Sequence, residues 1–176
     1  IINIAIEGQL LAGAFLAAVV ASLFSSPYAG LIAAPVAGAL VAVVLTFFAV
    51  RYWVDQIIIG VVLNVLVIGV TSFLFSTVLT ANAEKWNSRQ QLPNLPIPLL
   101  SDIPVLGVFR SRWGLRMRAI GEHPKAADTV GINVNLNRVA NTIFAGAIAG
   151  LGGAFFTIGS GLAFGKEMSA GQGYIA

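Results

Sequence analysis

The chain has no cysteine and a single histidine, His123. The first absence excludes disulfides and thiolate metal sites. The second excludes a metal site built from several histidines. Charge is scarce too: Asp, Glu, Lys and Arg make up 10% of the 176 residues, against about 25% in soluble domains. No G-x-x-x-x-G-K-[ST] stretch is present, so no P-loop for ATP is expected in this chain. The opening IINIAIEGQL has no initiator Met, no charged leader and no small-residue cleavage site. It does not read as a signal peptide, and both ends read as cut.

What remains is apolar. Hydrophobic residues make up 57% of the chain, and the mean hydropathy is +0.88. Such a composition calls for a bilayer as solvent. Four runs stand out, at about residues 4–26, 29–50, 56–79 and 139–164. The second and third carry no charge at all. About 20 apolar residues are needed to cross roughly 30 Å of hydrocarbon. The fold class expected is therefore an all-α integral membrane protein with about four transmembrane helices.

The connections are unequal. Ser25-Ser26-Pro27-Tyr28 reads as a tight turn, and Arg51 to Asp55 as a short charged link with Asp55 as an interfacial anchor. Residues 80–138 are a long polar interruption. Pro93, Pro96 and Pro98 forbid a continuous helix in its first part, which reads as a surface loop over about 80–109. Eight of the ten Lys and Arg residues lie between Lys85 and Arg138. Without interleaved aromatics or a recognition module, this basic stretch does not indicate nucleic acid. Basic loops beside apolar spans are more simply cytoplasmic. With Arg51 inside, however, a chain of four spans would put the whole basic stretch outside. Inverting the whole topology restores the charge count but puts the proline-rich loop inside as well; the other solution is a further crossing between Gly107 and Arg112, where VLGVF alone is too short to supply it.

Glycine-rich GLGGAFFTIGSGLAFG lacks the G-x-G-x-x-G spacing of a dinucleotide site. Gly146 and Gly150 instead form G-x-x-x-G, with Gly153 one turn on, a pattern that lets helix backbones approach closely. Asn64 stands within the third run, with Thr71 and Ser72 farther along. It is read either as an interhelical hydrogen-bonding group or as part of a polar path. Glu7, in NIAIEGQ before the uncharged stretch 9–26, reads as a solvated or capped carboxylate at the interface. No nucleophile is placed against a base, so the chain does not read as an enzyme.

In GLRMRAIGEHPKAADTVGI, residues 114–132, Pro124 can open a helix and Gly131 can close it. Two turns are too short to be stable alone. Ala126, Ala127 and Val130 offer a small apolar face, and Lys125 and Asp128 share another side. The element is read as docking either into a groove of another subunit or on the membrane surface, with Arg116 and Arg118 near lipid phosphates.

RSRWGLRMRAIGEHPKAADTVGINV resembles the cytoplasmic coupling segment of ABC importer permeases in the nucleoside, simple-sugar and branched-chain amino acid superfamily. IINIAIEGQLLAGAF, DQIIIGVVLNVLVIGVTSFL and MSAGQGYIA resemble the branch paired with basic-membrane-protein-type lipoproteins. The likeness covers nearly the whole chain. It implies a multi-pass permease in a bacterial cell membrane, with a coupling segment at about 110–138. Arg116, Arg118, Gly121, Glu122, Pro124, Ala126, Ala127, Asp128 and Gly131 would meet an ABC ATPase subunit. Asn64, Asn3 and Glu7 would line the translocation path. The implied partners are that ATPase, which would hold ATP and Mg, a second permease subunit, an extracellular substrate-binding lipoprotein and the bilayer. Nucleosides are the cargo expected first, then simple sugars, then branched-chain amino acids. In similar permeases a hydrophobic helix separates SDIPVLG from RSRWGLRMRAIG; here the two abut. Family members also extend beyond both ends, so the chain is expected to be a fragment of a longer permease. The readings from other classes are an ion-coupled secondary transporter and a non-transporting membrane scaffold. The absence of charge from the second and third runs argues against the transporter, since ion coupling needs intramembrane ligands.

Overall fold

A computed structural model of the chain describes residues 3–91, 93 and 111–175. Among these residues every regular element is helical. Helix α1 spans Ile6–Leu23, and α2 spans Pro27–Thr46 with a wider π turn over Phe47–Arg51. Helix α3 spans Gln56–Leu74, followed by a π turn over Phe75–Leu79, and α4 is the short Ala83–Trp86. Then come α5 (Arg112–Glu122), α6 (Pro124–Thr129) and α7 (Val134–Ala154), the last extended by a π turn over Phe155–Gly159. A single 3₁₀ turn, Gln172–Tyr174, follows. Four of these helices, Ile6–Leu23, Pro27–Arg51, Gln56–Leu79 and Val134–Gly159, are long and apolar enough to cross a membrane.

The boundaries follow local chemistry. Pro27 occupies the first helical position of α2, after Ser26 in an extended conformation. The Asp55 carboxylate accepts from the Ile57 N–H at 2.9 Å, capping α3 where the apolar run begins. The fourth helix departs from the sequence reading at both ends. It starts at Val134 rather than 139, because the Asn133 side chain accepts from the Leu136 N–H at 2.9 Å and caps a polar first turn. It ends at Gly159, and residues 160–164 leave the helix, with Gly161 at a φ of 67°. The first helix likewise begins at Ile6 rather than 4 and ends at Leu23. The crossing expected between Gly107 and Arg112 falls largely outside the described residues, as does loop 80–109 beyond residue 93.

The chain divides into two compact units, Ile1–Pro93 with Asn141–Ala176, and Asn94–Ala140. In the first, α1 is the central helix. Its buried face is almost entirely small: Gly8, Gly13, Ala14, Ala17, Ala18 and Ala21. A Cβ on Gly13 would run into the Gly150 carbonyl, one on Gly38 into the Gly146 carbonyl, and one on Gly153 into the Leu10 carbonyl. Three backbones therefore approach to a distance that only glycine permits. In lipid, where apolar side chains have no aversion to their solvent, such close contact is the main source of attraction between helices. Outward-facing Ile32, Leu40, Val65, Leu66 and Phe73 stay exposed, as lipid contact requires.

The contacts also fix direction. Residues 146, 150 and 158 of the last long helix meet Ala42, Ala34 and Gly30, so this helix runs antiparallel to α2. Against α1, Gly150 meets Gly13, and the Thr157 hydroxyl lies beside the Ala14 carbonyl, so it runs parallel to α1. Helix α3 is also parallel to α1, since Gly60 meets Ile4 and Gly8 meets Asn64 and Val67. Leu79 and Asn141 therefore lie toward opposite ends of the first unit, and the chain passes from one end to the other between them.

In the second unit α5 and α6 pack together. Ser111 caps α5 by accepting from Gly114 N at 3.1 Å, and His123 Nδ1 accepts from Ala126 N at 3.2 Å, capping α6. Helix α6 ends at a left-handed Gly131, with Gly131 N donating to Asp128 O and Ile132 N donating to Ala127 O. These two bonds form the Schellman closure that glycine favours.

Candidate functional site

Helix α1 begins inside the depth of the bundle. Asn64 lies eight residues into α3, which at 1.5 Å per residue is about 12 Å beyond the charged link at Arg51–Asp55. Gly8, in the first turn of α1, donates its N–H to Asn64 Oδ1 at 2.9 Å. The first turn of a helix leaves N–H groups without partners, and the N-cap residue Ala5 has no side chain to serve them. The neighbouring helix supplies the acceptor instead. Asn64 also donates from Nδ2 to Ile4 O at 2.9 Å and to the Tyr174 hydroxyl at 3.4 Å. It is fully buried.

Beyond Gly159 the chain turns back into this region without forming a long helix. It is held on the way by a reciprocal pair: Asn87 Nδ2 donates to Phe164 O at 3.0 Å, and Phe164 N donates to Asn87 Oδ1 at 2.8 Å. Phe164 packs edge-on against Phe15. Residues Ser169–Gly173 then reach Glu7. The Ser169 hydroxyl donates to Glu7 Oε1 at 2.5 Å, Gly171 N to the same oxygen at 2.9 Å, and Gly173 N to Oε2 at 2.6 Å. A Cβ on Gly173 would lie 2.5 Å from Glu7 Cα, so glycine is needed there for the approach itself. Glu7 is only 3% exposed. Of the expected solvated or capped carboxylate, the solvated reading is corrected: Glu7 lies in the first turn of α1, buried, and accepts three hydrogen bonds there.

Asn3, Glu7 and Asn64 are brought into one polar cluster. Asn3 pairs with Gln9 through Asn3 Nδ2 to Gln9 Oε1 at 2.9 Å and Gln9 Nε2 to Asn3 Oδ1 at 3.4 Å. Gln9, Ser169 and Tyr174 are members that the sequence reading missed. Gln9 carried a signal, being a buried amide two residues from the carboxylate. Ser169 and Tyr174 lay in MSAGQGYIA, which carried a family resemblance but no sign of these contacts, because they reach Glu7 and Asn64 only through the fold. Irregular backbone is tolerated at membrane depth only where protein buries it or it lines an aqueous cavity. Broken helices whose N-termini face inward are how transporters build solute sites.

The residues expected to couple to an ATPase lie in the other unit. Arg116, Arg118, Gly121, Glu122, Ala126, Asp128 and Gly131 are exposed, and Pro124 is half-buried. Ala127 departs from the expected apolar face: it is 5% exposed and inward-facing, whereas Val130 is 79% exposed. A two-turn helix shows several small residues, and the packing of α6 on α5 selects which of them is covered. Gly146, Gly150 and Gly153 form the close contacts described above. Among the described residues no three His, Asp or Glu side chains are grouped to hold a metal.

Comparison with known proteins places the chain among transport proteins. A family model described as the permease component of branched-chain amino acid transport systems matches residues 1–93 and 100–176. The guanosine ABC transporter permease protein NupQ of Bacillus subtilis is 33% identical over 207 residues, covering 100% of this chain and 64% of NupQ. The nucleoside ABC transporter permease protein NupC of Lactococcus lactis is 31% identical over 206 residues, with 100% and 64% covered. The putative glucose ABC transporter permease protein TsgC13 of Haloferax volcanii is 28% identical over 205 residues, with 100% and 60% covered. The chain thus spans less than two thirds of the length of these relatives. The 207 aligned positions with NupQ exceed this chain's 176 residues, so 31 of them have no counterpart here. No solved structure matches the chain.

Proposed function

The chain belongs to the family of permease components of branched-chain amino acid transport systems, and from that premise we propose that it forms part of the membrane subunit of a bacterial ABC importer for nucleosides. It is a multi-pass membrane protein. The observation that carries the cargo is the full-length likeness to two permeases named for guanosine and nucleosides, at 33% and 31% identity.

In this reading the subunit performs no chemistry of its own. ATP and Mg would be bound by a separate ATPase, and α5, α6 and the turn after α6 would seat in that ATPase through exposed Arg116, Arg118, Gly121, Glu122, Ala126, Asp128 and Gly131 and half-buried Pro124. A second permease subunit would complete the path, and an extracellular lipoprotein would deliver the solute. The residues Asn3, Glu7, Gln9 and Asn64 would stand along that path, beside the first turns of α1. Ser88 would face outside and Lys125 the cytoplasm. The parallel run of α3 and α7, which sets Leu79 and Asn141 toward opposite ends of the first unit, supports that arrangement, and so does the basic character of residues 110–138.

Two measurements test the proposal. Gentle solubilisation of the assembled transporter should copurify an ATPase subunit in stoichiometric amount. Uptake into proteoliposomes should be competed by unlabelled guanosine and not by leucine. Competition by leucine alone would reject the nucleoside reading.

A further inference from the structure

The segment that returns from α7 is fastened at both ends of α1. At one end Ser169, Gly171 and Gly173 donate to Glu7 in the first turn. At the other, three consecutive residues after α4 form a clasp. Trp86 packs against the apolar cluster that holds Leu11 and Phe164. The Asn87 amide pairs reciprocally with the backbone of Phe164. Ser88 donates its N–H to Ser22 Oγ at 3.1 Å, and the Ser22 hydroxyl, in the last turn of α1, donates to Lys85 O at 2.8 Å. With its one hydrogen on Lys85, Ser22 also accepts from the Ser88 hydroxyl at 3.0 Å, which fills its capacity.

The backbone between the two fastenings is short and strained. Phe164 packs on Phe15, about 12 Å along α1 from Glu7. The stretch from Phe164 to Ser169 reaches at most about 17 Å when fully extended. Part of that reach is taken up by a turn in which Ala170 N donates to Glu167 O at 2.9 Å. Glu167 and Ala170 both stand at positive φ, 50° and 46°, where a Cβ crowds the following carbonyl. Such conformations persist only while the surroundings hold them. Freeing one end lets the backbone relax toward negative φ, which pulls on the other end.

We propose that residues 164–173 are a two-ended strap along α1: the clasp at Asn87 and Ser22 positions the Glu7 contacts, and releasing it unseats Gly171 and Gly173 from the carboxylate. Asn87 is thus a positioning residue for a cluster at the opposite end of α1. The strap does not depend on which solute the protein carries.

Hydrogen exchange of the full chain in detergent, read on peptides covering 169–174, tests it. Asn87→Ala should accelerate exchange there about tenfold, equivalent to about 1.4 kcal/mol. Asn87→Asp keeps the acceptor for Phe164 N and loses the donor to Phe164 O, and should give about threefold. A local role for Asn87 would speed exchange around 85–88 and 161–165 and leave 169–174 unmoved; that result overturns the strap. A cross-link supplies the converse. A Cβ on Gly161 would lie 3.3 Å from Gln91 Cβ, close to the ~3.5–4.5 Å of disulfides, and the chain has no native cysteine. Gln91→Cys with Gly161→Cys, added to Asn87→Ala, should return exchange over 169–174 to within about threefold of wild type when oxidised and not when reduced. Equal exchange in the two states, with the cross-link verified by mass, also overturns the strap. Should Asn87→Ala fail to fold, Asn87→Asp carries both comparisons.

Discussion

Removing the Glu7 carboxylate should release the segment that folds back beneath α1. Three donors converge on it: the Ser169 hydroxyl and the backbone N–H groups of Gly171 and Gly173. The hydroxyl can rotate to another acceptor, but the two backbone groups cannot move without moving the segment. A buried donor left without a partner costs about 1–3 kcal/mol, and a hydrogen bond to a charged group contributes about 1.5–3 kcal/mol. Glu7→Ala strands two fixed donors and should cost about 4 kcal/mol locally, at the middle of that range. Glu7→Gln keeps one acceptor oxygen and turns an amide N–H₂ toward an N–H donor, for about 2 kcal/mol. Hydrogen exchange of a peptide covering residues 166–174, read by mass spectrometry in detergent, measures this opening directly. At about 1.4 kcal/mol per decade, Glu7→Gln should accelerate exchange roughly 30-fold, and Glu7→Ala should do so by several hundred-fold or to the unprotected limit. The α2 peptides serve as an internal control and should keep their protection. Unchanged exchange over 166–174 in Glu7→Ala would refute the view that this carboxylate holds the segment.

The remaining predictions concern packing, coupling and topology. Gly150→Ala should lower the melting temperature in detergent, because its Cβ would strike the Ala34 backbone, with a cost of about 1–3 kcal/mol for overpacking. Gly69→Ala, where a Cβ meets nothing, should be neutral or slightly stabilising through helix propensity. Val130→Glu, at a position 79% exposed, should reduce transport per ATP hydrolysed without lowering the amount of permease in the membrane. Ala127→Glu instead places a charge at a buried position and should lower that amount. Because the chain has no cysteine, single cysteines at Ser88 and Lys125 are clean reporters. An impermeant maleimide added to intact cells should label the first and not the second.

The membrane helices were legible because each is written in a continuous stretch. Residues 56–79 coincide with the helix and its π turn, since one uncharged run begins at a capping aspartate. Residues 139–164 were displaced because lipid solubility and helicity are different properties: Asn133 starts the helix among polar residues, and glycine stops it before the apolar run ends. Helix α6 was legible in its punctuation, Pro124 at one end and Gly131 at the other, but not in its His123 cap or in which alanine would be covered. The polar cluster was legible only as separate letters. Asn64 is 56 residues from the N–H it serves, and Glu7 is 162 to 166 residues from its donors. No local pattern connects positions so far apart.

That separation bears on what the cluster does. The first turn of α1 needs partners for its N–H groups, and Asn64 on α3 provides one for Gly8. The turn of backbone that comes back from the far end of α7 needs the same service for its own N–H groups, and Glu7 on α1 provides it. Each of these buried side chains therefore satisfies backbone from another part of the chain, and each would leave stranded donors if the elements separated. The cluster thus ties together α1, α3 and the returning segment at one depth.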